Sequence, residues 1–247
     1  MRALRVLATQ AAKHENVVGI ELLNEPNDRD PLQNWYNSTI DSLRSISPDL
    51  PIYAADAWHA EKYVPWAGAR QDFVVVDQHI YRVFTEEERR KWGDQHAAEL
   101  RSGTAKQLKE WSKQCRGNFI IGEFSAALGG QPPNTDAGEH DRQRRVFAQA
   151  ELAVFDESCA GWFFWTLKKQ EGWDAGWSLK NATQAEIMPA YVGKRESGSI
   201  PDDSKKEQAK TDAYSMYENS GGDRLIFRRP ACQLLEREDV RKRALEV

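Results

Sequence analysis

Two short stretches decide the reading of this chain: Gly19–Pro26, GIELLNEP, and Phe119–Ser125, FIIGEFS. Each is an apolar run that stops abruptly on a glutamate, Glu25 in the first and Glu123 in the second. Apolar runs of this length, without alternation, are what parallel strands look like when both of their faces are covered. Three more runs have the same character: Pro51–Ala55 (PIYAA), Phe73–His79 (FVVVDQH) and Gly161–Thr166 (GWFFWT). With Val17–Leu23 and Phe119–Phe124 they make five strand candidates.

Helical patterns separate them. Leu32–Ile46 follows Pro31, a residue suited to the first turn of a helix. Thr85–Trp92 opens with Thr85 and Glu88 at capping-box spacing. Thr104–Cys115 and Asp136–Glu157 carry apolar residues at helical intervals, as does the N-terminal MRALRVLATQAAKHEN. Strand alternating with helix is the α/β signature, and right-handed crossovers make the sheet parallel. From Lys194 to Val247 the chain is roughly two-fifths charged, and reads as a polar, irregular extension. Two regions are therefore expected, 1–193 and 194–247.

Composition narrows the function. The 247 residues include nine Trp, seven Tyr and nine Phe, a heavy aromatic load suited to stacking on flat ligands. A net charge of −4 gives no reason to expect a nucleic acid or an anionic membrane as partner. No apolar run is long enough to span a bilayer, and the first residues lack the core of a signal peptide. The three cysteines have no metal-ligand spacing, and nothing else calls for a metal or an organic cofactor. Asn37 and Asn181 each open a glycosylation sequon, usable only in an exported protein.

Strand-end residues of parallel α/β folds surround one open mouth, so Glu25 and Glu123 are expected to face a common cleft. Two carboxyl groups so placed are the equipment for cleaving a glycosidic bond. The bland alternative is a turn cap for Glu25 and an arginine ion pair for Glu123. Neighbouring residues favour the chemical reading: Asn24 beside Glu25, His79 and Tyr81 at the end of the intervening strand, and Trp165 at the end of the last. Trp58 and Trp173 read equally well as ordinary packing, and His59, His96, Asp77 and Glu171 as solvated or structural.

Four motifs in order carry a resemblance: Asn24-Glu25-Pro26, the H-x-Y of His79 and Tyr81 in QHIYRVF, GEFSAAL at Gly122–Leu128, and GWFFWTLK at Gly161–Lys168. Together they resemble glycoside hydrolase family 5, and within it the fungal exo-β-1,3-glucanases (glucan 1,3-β-glucosidases). The resemblance implies a TIM (β/α)8 barrel, a β-glucan polysaccharide or oligosaccharide as substrate, and a retaining double displacement. It implies Glu25 as acid/base on the fourth barrel strand and Glu123 as nucleophile on the seventh. It further implies Asn24 on the sugar 2-hydroxyl, His79 and Tyr81 orienting nucleophile and sugar, and Trp165 stacked beneath the ring. An extracellular or cell-wall location follows from the same resemblance.

A barrel has eight strands and this sequence shows five, so the chain is expected to run from strand four to strand eight, a truncated copy with its first strands missing. The other readings that remain are a cellulase, β-1,6-glucanase or mannanase of the same family, and a remnant that no longer catalyses. Cys115 and Cys159 precede the two strands taken as seventh and eighth, close enough to raise the question of a disulfide. Two separate buried thiols are the favoured reading, because the cysteines sit at different offsets from their strands.

Overall fold

A computed structural model of the chain describes residues 1–14, 16–130, 136–170, 172–189 and 192. The proposed 194–247 extension, Cys232 and Glu171 lie outside those residues. The described strands are β1 (Ile20–Glu21), β2 (Ile52–Ala55), β3 (Val74–Ile80), β4 (Phe119–Phe124) and β5 (Gly161–Phe164). They form one sheet in the order β1-β2-β3-β4-β5, and every neighbouring pair is parallel. Sequential parallel neighbours with helical crossovers make half of a (β/α)8 barrel.

The helices on its outer side are α1 (Arg2–Ala11), α2 (Pro31–Arg44), α3 (Ala60–Ala69), α4 (Glu86–Arg90), α5 (Gly93–Glu99), α6 (Ala105–Gln114), α7 (Ala137–Ser158) and α8 (Leu179–Gln184). A single π-helical turn, Leu100–Thr104, joins α5 to α6. In α2, Pro31 occupies the first turn, and Leu32, Tyr36, Ile40 and Leu43 bury one face. The capping box of α4 forms as its spacing predicts: the Glu88 N–H donates to Thr85 Oγ1, and the Thr85 N–H donates to Glu88 Oε2, both at 3.1 Å. Asp136 caps α7 by accepting the Glu139 N–H at 2.8 Å.

α3 was not foreseen from the sequence, because it contains Pro65, which removes a helical hydrogen bond. Burial of Tyr63, Val64 and Ala67 outweighs that loss. β1 is much shorter than the Val17–Leu23 run, since it pairs with β2 alone, through Ile20 N–H to Pro51 O and Leu22 N–H to Tyr53 O. At the N-terminal face of the sheet, Arg44 and Arg70 converge on Asp72, and Arg44 also donates to Phe73 O at 2.7 Å. That end is fastened, which leaves the opposite end for chemistry.

The core is continuous between sheet and helices, with Tyr36, Tyr63, Phe119, Phe124, Phe147 and Phe155 fully buried. Both edges of the sheet are open among the described residues. Val6, Leu7, Val17 and Leu23 are exposed on the β1 side, and Phe163 and Leu167 on the β5 side. An incomplete barrel leaves this pattern. Both sequons fall within helices, Asn37 in α2 and Asn181 in α8, and the Asn37 carboxamide oxygen already accepts from Trp66 and Arg70.

Cys115 and Cys159 are buried free thiols, not a bridge. Burial pushes Cys115 up to about 12, and burial together with the nearby Cys115 thiol raises Cys159 as well. Both are therefore expected to resist alkylation in the native protein at pH 8 and to react fully once urea unfolds it. Recovery of a Cys115–Cys159 disulfide peptide without reductant would contradict this assignment.

Candidate active site

Glu25 follows β1, Trp58 follows β2, His79 and Tyr81 stand at the end of β3, Glu123 lies in β4, and Trp165 follows β5. All occupy the C-terminal ends of their strands, where barrel folds place their active sites. The detail that joins them is a register shift. Gln78 pairs with Ile121 and the next residue, His79, pairs with Glu123, so Gly122 is an extra residue in β4. This β-bulge turns Glu123 inward, directly beside His79.

The four central groups are in contact. His79 Nδ1 lies 2.8 Å from Glu25 Oε1 and 3.4 Å from Glu123 Oε2. Tyr81 donates its hydroxyl to the same Glu123 oxygen at 2.5 Å. One oxygen from each glutamate and one His79 nitrogen lie within 4.8 Å of one another. Glu123 thus finds a tyrosine and a histidine where an arginine was the bland expectation. Glu25 has φ 42°, in the left-handed region that residues with a Cβ rarely adopt, so the loop holds this carboxylate in a strained conformation.

Electrostatics follow from crowding. Burial alone would lower the His79 pKa. The hydrogen bonds of Asp77 and Glu25 and the charges of Asp77 and Glu123 outweigh it, and hold the imidazolium up to about 9. Tyr81 is raised strongly, first by burial and then by its bond to Glu123, so it stays a donor. Glu21, on β1, is pushed up to about 8 by partial burial and by Asp77 beside it, although the residue meets solvent on the open side of the sheet. Asp56 is raised to about 6 by burial, against the pull of the Trp58 N–H that it accepts at 2.9 Å.

Other expected residues are placed as follows. Asn24 is exposed immediately before Glu25, and Trp165 is half exposed at the mouth. Trp58 is not ordinary packing: it is 54 % exposed and meets the His79 ring edge-on at 6.2 Å. The turn that presents it has φ 51° at Ala57 and φ 66° at Trp58, and the Asp56 carboxylate supports that shape. Asp77 is not solvated, being 4 % exposed behind His79. His96 is structural, with its Nε2 on Glu88 O. Trp173 is exposed, and His59 pairs with Glu61 on the surface.

Sequence reasoning missed Phe84 and Trp177, which pack with Tyr81 at 5.5 and 5.2 Å. The F of QHIYRVF was a legible signal for Phe84; nothing marked Trp177, which arrives from a loop. A cleft of about 720 Å³ opens beside the mouth, running from Trp58, His79 and Tyr81 to Phe84, Gln107 and Trp111.

Comparison with known proteins matches the sequence to a family. The model for "Cellulase (glycosyl hydrolase family 5)" matches residues 2–171. The chain belongs to glycoside hydrolase family 5. Among curated relatives, glucan 1,3-beta-glucosidase 3 of Schizosaccharomyces pombe is 31 % identical over 76 % of this chain and 39 % of its own length. An uncharacterised glycosyl hydrolase of Saccharomyces cerevisiae is 26 % identical over 88 % of this chain and 43 % of its own. Glucan 1,3-beta-glucosidase of Yarrowia lipolytica is 26 % identical over 70 % and 48 %. The chain thus spans about half, or less, of the length of these relatives. Among solved structures, the rutinosidase from Aspergillus niger shares the fold at TM-score 0.51 and 15 % identity, over 76 % of this chain and 58 % of that one. AoRut does so at TM-score 0.53 and 15 % identity, over 76 % and 56 %.

In this family member the His79 charge should be visible in stability. A folded-state value of about 9 lies above the ordinary 6.5, so the stabilisation is complete below pH 6.5 and lost as pH climbs through 9. The gap in urea midpoint between wild type and His79→Gln is expected to be widest near pH 6 and to close by pH 10. A gap that widens with pH would reverse the assignment.

Proposed function

We propose that the whole protein is a retaining glycoside hydrolase acting on β-glucan, releasing glucose from the chain end of a β-1,3-linked polymer. The observation that carries the reading is the contact of Glu25, His79, Tyr81 and Glu123 at the strand ends. Glucan 1,3-β-glucosidase relatives support the substrate class.

Glu25 protonates the glycosidic oxygen as the bond to the leaving sugar breaks. Glu123 attacks the anomeric carbon and forms a glycosyl ester. Water, deprotonated by Glu25, then hydrolyses that ester and restores both groups. The spacing favours this route: oxygens within 4.8 Å suit direct attack, whereas an inverting pair stands roughly 6.5–9.5 Å apart to admit a water. Tyr81 and His79 both engage Oε2 of Glu123, which leaves Oε1 as the attacking atom. Asn24 takes the sugar 2-hydroxyl, Trp165 stacks beneath the ring, and Trp58 and Phe84 line the side where further sugars lie.

An alternative within the family is β-1,4-glucan cleavage, which the cellulase description of the family model favours. Glucose released from laminarin, but not from carboxymethylcellulose, decides for the first reading. Retained laminarin affinity without turnover decides for a non-catalytic remnant. An extracellular or cell-wall site of action fits a polymeric glucan. Among the described residues no helix is long and apolar enough to cross a membrane.

The two glutamates are expected to fail differently in a protein carrying the complete barrel. With an aryl glucoside whose leaving group needs no acid, Glu25→Gln still gives a burst and accumulates glycosyl-enzyme. Glu123→Gln gives neither, and loses at least ~1,000-fold in kcat, the scale of losing a nucleophile. Equal bursts from both variants would exchange or cancel these roles.

A further inference from the structure

Behind the proposed catalytic pair lies a second group of charges that the mechanism does not use. Asp77 precedes His79 by two positions on β3, so both side chains project from the same face of the sheet. Its Oδ2 faces His79 Nε2 at 3.6 Å. Its Oδ1 is buried and accepts no bond from another side chain or backbone N–H among the described residues. Glu21, from β1, brings its carboxyl into the same cluster: one oxygen of Glu21, one of Asp77 and a His79 nitrogen lie within 4.8 Å of one another.

The bulge residue belongs to this arrangement. A Cβ at Gly122 would lie 2.0 and 2.2 Å from the two Asp77 oxygens. The Asp77 carboxylate therefore fills the space that any side chain at position 122 would need, one residue before Glu123. Glycine here is required for close approach, not for a positive φ. A side chain at position 122 would have to displace Asp77 or shift the strand that carries Glu123.

We propose that Asp77 and Glu21 are positioning residues of this site: Asp77 anchors the Nε2 edge of His79, and Glu21 in its protonated form donates to Asp77. The ring is thereby held with its Nδ1–H pointing to where Glu25 and Glu123 meet. This inference rests on the reading of those two glutamates as the reacting pair.

The groups facing the ring agree with the assignment. Glu21 comes from β1, Glu25 from the loop after it, Asp56 from the turn after β2, Asp77 and Tyr81 from β3 and its end, and Glu123 from β4. Every one is an acid or a phenol, so a single positive charge at the centre is favoured. Two carboxyls as close as Glu21 and Asp77 share a proton more readily than they share two negative charges. Burial first, and then the charge and hydrogen bond of Asp77, raise Glu21 in the same direction.

The test follows the His79 ring by NMR in the 247-residue chain with labelled histidine, its signal assigned from a His79→Gln spectrum. In wild type the ring is expected to titrate near pH 9. Asp77→Asn is expected to lower that midpoint by at least one unit, a tenfold change in proton affinity. Glu21→Ala should lower it part way, whereas Glu21→Gln, which keeps a donor toward Asp77, should stay within about half a unit of wild type. His96 and His140 should not move in any of these. An unchanged midpoint in Asp77→Asn and Glu21→Ala overturns the proposal. If Asp77→Asn does not fold, the Glu21 pair decides alone, since Glu21 meets solvent and its replacement leaves no cavity. The titration needs no turnover. The midpoints therefore test this assignment alone, while the burst experiments on Glu25→Gln and Glu123→Gln in the complete barrel test the catalytic reading. Where turnover exists, the alkaline limb of the pH–rate profile should move down with the midpoint.

Discussion

The structure depends most on one imidazole held among carboxylates. His79 touches Glu25 on one side, faces Glu123 and Asp77, and sits above Glu21. So many acids at one place would repel each other without a cation between them. The backbone is shaped to permit this. The Gly122 bulge brings Glu123 opposite His79 and leaves room for Asp77, while the strained backbone at Glu25 aims its carboxylate back toward the ring.

Around that centre the half barrel divides its labour by depth. The N-terminal ends of the strands are tied down by Arg44, Arg70 and Asp72. The middle of the sheet is packed on its outer side by aromatic and branched residues from α2, α3 and α7. The C-terminal ends carry polar and aromatic side chains on turns: Trp58 on the Asp56-braced corner, Phe84 and Trp177 against Tyr81, Trp165 at the edge. This arrangement places rigid strands behind groups whose positions must be held to fractions of an ångström.

The exposed apolar side chains beside β1 and β5 mark where a complete barrel would continue. A closed barrel removes free edges, and the exposed Phe163, Val17 and Leu23 would then be covered. The catalytic residues proposed here all come from the present strands, so their mutual geometry does not wait on closure. Enclosing a sugar from the opposite side does.

The sequence by itself determined the parts whose signals are local. Unbroken apolar runs marked five parallel strands, the Thr85–Glu88 box started α4 where it does, and strand-terminal glutamates pointed to Glu25 and Glu123. His79 and Tyr81 were legible because alternate residues of a strand share a face, so H-x-Y delivers both to one mouth. Only the tertiary structure decided the rest. Helix α3 survives its proline because burial outweighs a lost hydrogen bond. Trp58 leaves the core because Asp56 braces a left-handed turn. Asp77 finds room beside His79 because Gly122, one residue before Glu123, carries no side chain. Each of these is settled by a neighbour distant in sequence, and periodicity along one segment carries no record of what packs against it.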